Sequence, residues 1–230
     1  MREGAGTTNW RRPRKRGRET HEPKMLPQWA LNLAHPATHV ISKTLWRIRF
    51  YGTEHIPPTE DGGLIIAANH QTYIDPFWIS VPIMRPLRFL AWSEAFRWPV
   101  LGRLMELFGS WPLQVEGSDP TAIRRSLQWL RQGGALTIFP EGERALADGE
   151  MKRFKAGAAR MALEAGVPIL PVTIRGAHRV WPRGWRVPRL SQIEIIYHPL
   201  RRLAPLPGED TRACARRETE ELAAVIKSAL

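Results

Sequence analysis

Apolar residues in this chain fall into short continuous runs that alternate with longer polar segments. Five runs have strand length and almost no polar residues: LIIAAN, LRFLAW, ALTIF, PILPVTI and IEIIYH. Continuous apolar runs are typical of strands buried on both faces, as in parallel sheets. Their alternation with helical segments predicts an α/β fold, namely a single domain with a mostly parallel central sheet flanked by helices.

Three segments have the pattern of amphipathic helices. Residues 120–132 end at a Gly-Gly pair and residues 155–165 end at Gly166, and glycine commonly terminates helices. Residues 209–230 predict a third, closing helix. Polar residues follow directly after several strands, which is where open α/β sheets bind ligands.

The first fifty residues differ from the rest of the chain. Residues 1–24 carry eight basic and three acidic side chains with almost no apolar content, which predicts a basic disordered tail. Residues 25–50 predict an amphipathic helical segment, divided into two short helices near Pro36. This segment either lies on a membrane interface or packs on the domain's own core. Residues 51–230 form the remaining domain.

The composition indicates which partners and which cellular location to expect. A net charge of +12 favours anionic partners such as nucleic acid, phosphorylated substrates or an anionic lipid surface. No run approaches the roughly eighteen apolar residues of a spanning helix. Cys214 is the only cysteine, and no His/Cys/Asp cluster has metal-ligand spacing, so we expect no metal. We expect a peripheral protein on the cytoplasmic face of a membrane.

His70 and Asp75 are the first candidates for chemistry. A neutral imidazole can accept a proton at physiological pH, and a carboxylate on its other nitrogen fixes the tautomer. Five residues on one helix would leave the two side chains about 140° apart, so they meet only if His70 precedes the helix. Asp75 followed by Pro76 also predicts a helix N-cap, and a purely structural histidine is the alternative.

Two later segments carry cationic side chains that could contact a ligand. In FPEGER, Arg144 could hold a phosphate bidentately and Gly142 allows a tight turn near a ligand. In MKRFKAGAAR, cationic residues precede a helix start and could bind an anion. The alternatives are an ordinary surface turn and a solvated charge run.

Four motifs occur in the order and spacing of a known family. NH-x4-D at 69–75, FPEG-x-R at 139–144, F-K-x-G-A at 154–158 and VPILPV at 167–172 resemble the PlsC-like glycerolipid acyltransferases, which include lysophosphatidic acid acyltransferases. The resemblance extends from about residue 51 to residue 196.

The resemblance implies an acyltransferase of phospholipid biosynthesis without a covalent intermediate. His70 would deprotonate an acceptor hydroxyl that attacks the thioester of acyl-CoA or acyl carrier protein, and Asp75 would hold the histidine. No cofactor is implied beyond this co-substrate. The remaining motif residues are assigned to substrate binding: Asn69, Glu141, Gly142, Arg144, Lys155, Gly157 and Pro171.

Two positions depart from the family pattern. Glu143 stands where many members have threonine, and Val115 stands where an arginine usually binds the acceptor phosphate. The acceptor is therefore open between lysophosphatidic acid, another lysophospholipid and a non-phosphorylated lipid alcohol. With water as acceptor, the same base would give a thioesterase or lysophospholipase.

The segment WPRGWRVPR at 181–189 raises an alternative hypothesis, namely a non-enzymatic protein that binds nucleic acid or lipid. No nucleic-acid-binding motif accompanies it, so we expect no nucleic acid partner. We interpret Trp181, Arg183, Trp185 and Arg186 as membrane-interface anchors beside the cleft.

Overall fold

The computed structural model describes residues 26–97, 99–114, 119–146, 148–182 and 188–230. Within these ranges seven strands form one sheet, in the order β1-β7-β6-β2-β5-β3-β4. Neighbouring strands run parallel except β6 and β7, so the predicted mostly parallel α/β domain is confirmed. The strands are β1 (Arg49–Tyr51), β2 (Leu64–Ala68), β3 (Leu87–Trp92), β4 (Ser110–Leu113), β5 (Ala135–Ile138), β6 (Ile169–Arg175) and β7 (Glu194–Tyr197).

Strand β2 lies at the centre of the sheet and is buried on both faces. Because side chains alternate along a strand, Leu64 and Ile66 pack on one side, in the core that contains Trp78. Ile65 packs on the other side, in the core that contains Leu130. This two-sided burial explains why the strand has no polar residue.

Helices cover both faces of the sheet. The three predicted helices are confirmed as α4, α5 and α7, with ends shifted by at most three residues. Asp119 and Asp210 begin α4 and α7 by accepting the amides of Ala122 and Ala213. The helices are α1 (Gln28–Trp46), α2 (Asp75–Ser80), α3 (Pro99–Leu107), α4 (Pro120–Arg131), α5 (Gly157–Ala165), α6 (Ala177–Val180) and α7 (Thr211–Lys227).

Helix α1 corrects one prediction. The two short helices expected on either side of Pro36 are a single helix of 19 residues that contains this proline. A proline removes one backbone hydrogen bond from a helix interior, and the remaining bonds maintain a helix of this length. Proline was therefore a poor guide to the boundary here.

Strands β2, β5 and β6 are adjacent and parallel, so their carboxyl ends lie at one edge of the sheet. The segments that carry the NH-x4-D and FPEG-x-R motifs leave the sheet at this edge. The topology therefore brings together residues that are about seventy positions apart in the chain.

Candidate functional site

His70 lies on the turn between β2 and α2, before the helix begins. Its Nδ1 is 2.9 Å from Oδ2 of Asp75, which is the first residue of α2 and is fully buried. The five-residue spacing allows this contact because the turn, and not a helix, separates the two side chains. The structure thus brings the predicted pair together.

The Asp75 carboxylate also organises the turn itself. Its Oδ2 accepts the amides of Gln71 at 2.5 Å and Thr72 at 2.7 Å, and its Oδ1 accepts the Thr72 hydroxyl at 2.6 Å. An ionised carboxylate accepts hydrogen bonds only, which suits four donors around one group. Asp75 is not the predicted N-cap, because its carboxylate faces these preceding donors and not the first amides of α2.

The contact with Asp75 determines the useful tautomer of His70. Since a carboxylate faces Nδ1, this nitrogen carries the proton and Nε2 presents a lone pair. The ring stacks on Phe139, with centroids 4.0 Å apart and planes inclined by 20°. The side chain is 17% exposed, and Nε2 makes no hydrogen bond within the described part of the chain. Nε2 is therefore available as a base for a small group that reaches the turn.

Glu141 connects the two turns through backbone amides. Its Oε1 accepts the His70 amide at 2.7 Å, and its Oε2 accepts the Lys152 amide at 2.7 Å. The residue is only 3% exposed. Burial raises the pKa of this carboxyl above its ordinary value, and the hydrogen bonds from the two amides oppose the rise. Glu141 therefore positions the backbone of the base, while its predicted contact with substrate stays a prediction.

Replacing Glu141 with alanine is expected to lower stability and to release the backbone of His70. The change leaves two shielded amides without an acceptor, at about 1–3 kcal/mol each. The free energy of unfolding from urea titration should fall accordingly, and the His70 amide should exchange its hydrogen with solvent faster because it has lost its acceptor. Glu143→Ala is the matched control, since the Glu143 side chain is 57% exposed and pairs with Lys152 at the surface. Equal stability losses in the two variants would contradict the positioning role.

Gly142 and Lys155 form a close pair beside this turn. Gly142 has φ +75°, and a Cβ built on it would lie 2.7 Å from the Lys155 ammonium. A larger residue at 142 would therefore displace the ammonium group as well as strain the backbone. The Lys155 amide donates to the Pro140 carbonyl at 2.8 Å, which ties the two segments together.

Arg144 lies on the same turn, with its guanidinium carbon 3.5 Å from the centroid of the Tyr73 ring. The cationic residues Arg144 and Lys155 thus come from the two segments that the motifs predicted. Both follow strand β5, while His70 follows its neighbour β2. The site combines a base with nearby positive charge.

The other predicted residues have contacts within the protein. The Asn69 side chain donates to the Ile174 carbonyl at 2.9 Å and accepts the Ile174 amide at 2.7 Å, extending the β2–β6 pairing by one residue. Pro171 is buried in β6, opposite Ala67. Gly157 begins α5, with open space around its Cβ position. For these three residues substrate binding stays a prediction, and Asn69 has a positioning role.

Several functional candidates were missed from the sequence. Gln71 and Thr72 supply hydrogen bonds to Asp75, and Phe139 supplies the surface on which the His70 ring stacks. Tyr73 contacts Arg144. The sequence feature that could have identified these four residues is their position within or next to the motifs.

Some predictions concern residues outside the described ranges. They are the disordered tail at 1–24, Val115, and the anchors Arg183, Trp185 and Arg186. Trp181 is described and packs edge-on against Tyr73, with centroids 6.1 Å apart. Among the residues with assigned positions, no group of three or more His, Cys, Asp or Glu side chains could hold a metal ion.

Comparison with known proteins identifies relatives of this chain. Residues 47–175 match the family model described as Acyltransferase. The chain is 30% identical over 178 residues to a 1-acyl-sn-glycerol-3-phosphate acyltransferase of Chlamydomonas reinhardtii, an alignment that covers 75% of this chain and 52% of the relative. It is 27% identical over 141 residues to the Bacillus subtilis enzyme of the same name, covering 61% and 68%.

The fold also matches a solved structure. The 1-acyl-sn-glycerophosphate acyltransferase PlsC from Thermotoga maritima superposes with a TM-score of 0.67 at 25% identity, covering 88% of this chain and 79% of that one. The chain spans about half the length of the algal relative and of the chloroplastic LPAT1 from Arabidopsis thaliana. The similarity therefore covers most of this chain and only part of these two relatives.

Proposed function

Because the chain belongs to the Acyltransferase family, we propose that it transfers a fatty acyl group from an acyl thioester to the hydroxyl of a lysophospholipid such as lysophosphatidic acid. The observation that carries this proposal is the pair of His70 and Asp75, in which Nδ1 is bound and Nε2 is available. The names of the relatives support the choice of acceptor.

This geometry supports the following reaction. Nε2 of His70 removes the proton from the acceptor hydroxyl as its oxygen attacks the thioester carbonyl carbon. The buried Asp75 carboxylate stabilises the imidazolium that forms. The tetrahedral intermediate then collapses, the carbon–sulfur bond breaks, and the imidazolium returns the proton to the departing thiolate. The products are a diacylated lipid and the free thiol of CoA or acyl carrier protein.

Arg144 and Lys155 are proposed to bind the acceptor phosphate. Val115 lacks the charge that many family members have at its position, so these two residues would provide it. Both lie on the segments that follow β5, next to the turn that carries the base. A guanidinium binds phosphate bidentately, and an ammonium adds a point charge.

Acyl transfer can be tested directly with purified protein, acyl-CoA or acyl carrier protein, and a panel of acceptors. The panel comprises lysophosphatidic acid, lysophosphatidylcholine, monoacylglycerol and buffer alone. We expect thiol release that depends on lysophosphatidic acid, together with phosphatidic acid detected by mass spectrometry. Thiol and free fatty acid released without any acceptor would instead identify a hydrolase.

Helix α1 is proposed to lie on the lipid surface from which the acceptor comes. Several large apolar side chains of this helix are exposed, and no helix in the described ranges is long and apolar enough to cross a membrane. An amphipathic helix with such a face binds the interface between lipid and water. The exposed apolar residues are Trp29, Leu33, Val40, Ile41 and Leu45. Location on the cytoplasmic face stays a prediction.

Replacing Trp29, Leu33 and Val40 together with serine is expected to weaken membrane binding by about tenfold or more, because each side chain loses its burial in lipid. Co-sedimentation with vesicles containing phosphatidylglycerol measures the partition. The double variant Ile123→Ser with Leu206→Ser removes exposed apolar groups elsewhere on the surface and should bind as the unmodified protein does. Unchanged partition of the α1 variant would refute this orientation.

A further inference from the structure

Tyr73 lies between a cation and an indole at the edge of the site. The guanidinium carbon of Arg144 is 3.5 Å from the centroid of its ring. Trp181 packs against the ring edge-on, with centroids 6.1 Å apart and planes inclined by 77°. Tyr73 is 43% exposed, so the Arg144 stack lies where a ligand from solvent can reach it.

The backbone beneath Tyr73 is fixed by the group that holds the base. Asp75 accepts the amides of the two residues that precede Tyr73 and also the Thr72 hydroxyl. The Thr72 hydroxyl oxygen in turn accepts the amide of Ile74, which follows Tyr73, at 3.3 Å. His70 and Tyr73 therefore belong to one hydrogen-bonded turn, which fixes the backbone of Tyr73 relative to that of the base.

Stacking determines how Arg144 can be used. Arginine has a long side chain with many rotamers, and contact with an aromatic face restricts them. The N–H groups lie in the plane of the guanidinium. When an aromatic ring covers one face of the guanidinium, these N–H groups point parallel to the ring and away from the stack. Two such N–H groups match two oxygens of a phosphate. A stacked arginine is thus prepared to bind a phosphate at a defined distance from His70.

We propose that Tyr73 is a positioning residue that sets acceptor preference by holding Arg144 for the phosphate of a lysophospholipid. The proposal rests on the acyltransferase function given above and specifies how this site prefers a phosphorylated lipid to a neutral lipid alcohol. The aromatic ring, and not its hydroxyl, performs this role. Trp181 supports it by packing against the edge of the ring.

The experiment compares the unmodified protein with Tyr73→Ala and Tyr73→Phe. Steady-state rates are measured with lysophosphatidic acid and with monoacylglycerol. We expect Tyr73→Ala to raise KM for lysophosphatidic acid by about three- to thirtyfold, the range of a cation–π contact, with kcat nearly unchanged. The KM for monoacylglycerol should not change, and Tyr73→Phe should behave as the unmodified protein does.

Binding without turnover separates this inference from the proposed function. Titration calorimetry with hexanoyl lysophosphatidic acid should show the same loss of affinity in Tyr73→Ala and its recovery in Tyr73→Phe. If the unmodified protein binds this probe and Tyr73→Ala weakens it, the positioning role stands even where no acyl transfer occurs. Equal affinity in Tyr73→Ala, an equal loss in Tyr73→Phe, or a KM rise for both acceptors would overturn it. Circular dichroism checks that each variant is folded.

Discussion

Replacing His70 with alanine is expected to lower the rate of acyl transfer by about 10²- to 10⁴-fold, the usual contribution of a general base. The substitution removes Nε2, the atom that we propose accepts the proton of the acceptor hydroxyl. The fold should persist, because the amide and carbonyl of His70 keep their hydrogen bonds to Glu141 and Ala145. Thiol release from acyl-CoA in the presence of lysophosphatidic acid measures the loss.

His55→Ala is a suitable control for this experiment. His55 also uses its Nδ1, which lies 2.9 Å from the Tyr197 carbonyl, but it lies beyond the opposite ends of the strands. Loss of this histidine should leave the rate of transfer within about twofold, since it contacts none of the proposed reacting groups. A His70→Ala variant with an unchanged rate would exclude His70 as the base.

Replacing Asp75 with asparagine is expected to reduce transfer by about 10²-fold or more while retaining most of the stability. Asparagine keeps one oxygen for the amides of Gln71 and Thr72, so the turn can remain closed. It has no negative charge, so it cannot stabilise the imidazolium that the proposed reaction forms at His70. The rate is measured as for His70, and the free energy of unfolding is measured in parallel.

Asp75→Ala provides the contrast that separates the two roles of this carboxylate. It leaves the Gln71 and Thr72 amides and the Thr72 hydroxyl without their acceptor, so the free energy of unfolding should fall by about 3 kcal/mol or more. If asparagine and alanine destabilise the protein equally, the charge of Asp75 serves the fold more than the chemistry. An asparagine variant with full activity would contradict the proposed role.

The fold was largely predictable because the central strands are buried on both faces. Strands such as β2 and β6 have continuous apolar runs, which are typical of strands buried on both faces. Strands β1 and β4 were missed, since β1 has only three residues and β4 contains Pro112. The antiparallel direction of β7 was also not predicted, because its apolar run resembles those of the parallel strands.

The site was predictable where it depends on local geometry. The contact between His70 and Asp75 requires only a turn before a helix, and the sequence indicates both. The direction of the Glu141 side chain depends instead on how β5 lies beside β2, which no local pattern encodes. Glu141 was therefore correctly located near the base, but its hydrogen bonds to the His70 and Lys152 amides were not predicted. Tyr73 was missed because its partner Arg144 lies on another strand's turn.

The hydrogen bond between His70 and Glu141 joins residues 71 positions apart, whereas His70 and Asp75 are five apart. During refolding the short contact can form as soon as its own turn closes. The long contact must wait until β2 and β5 pair, because non-local contacts form only after a large loop has closed. The return of enzymatic activity after dilution from urea therefore measures when the central sheet assembles. We expect activity to recover more slowly than the helical circular dichroism signal.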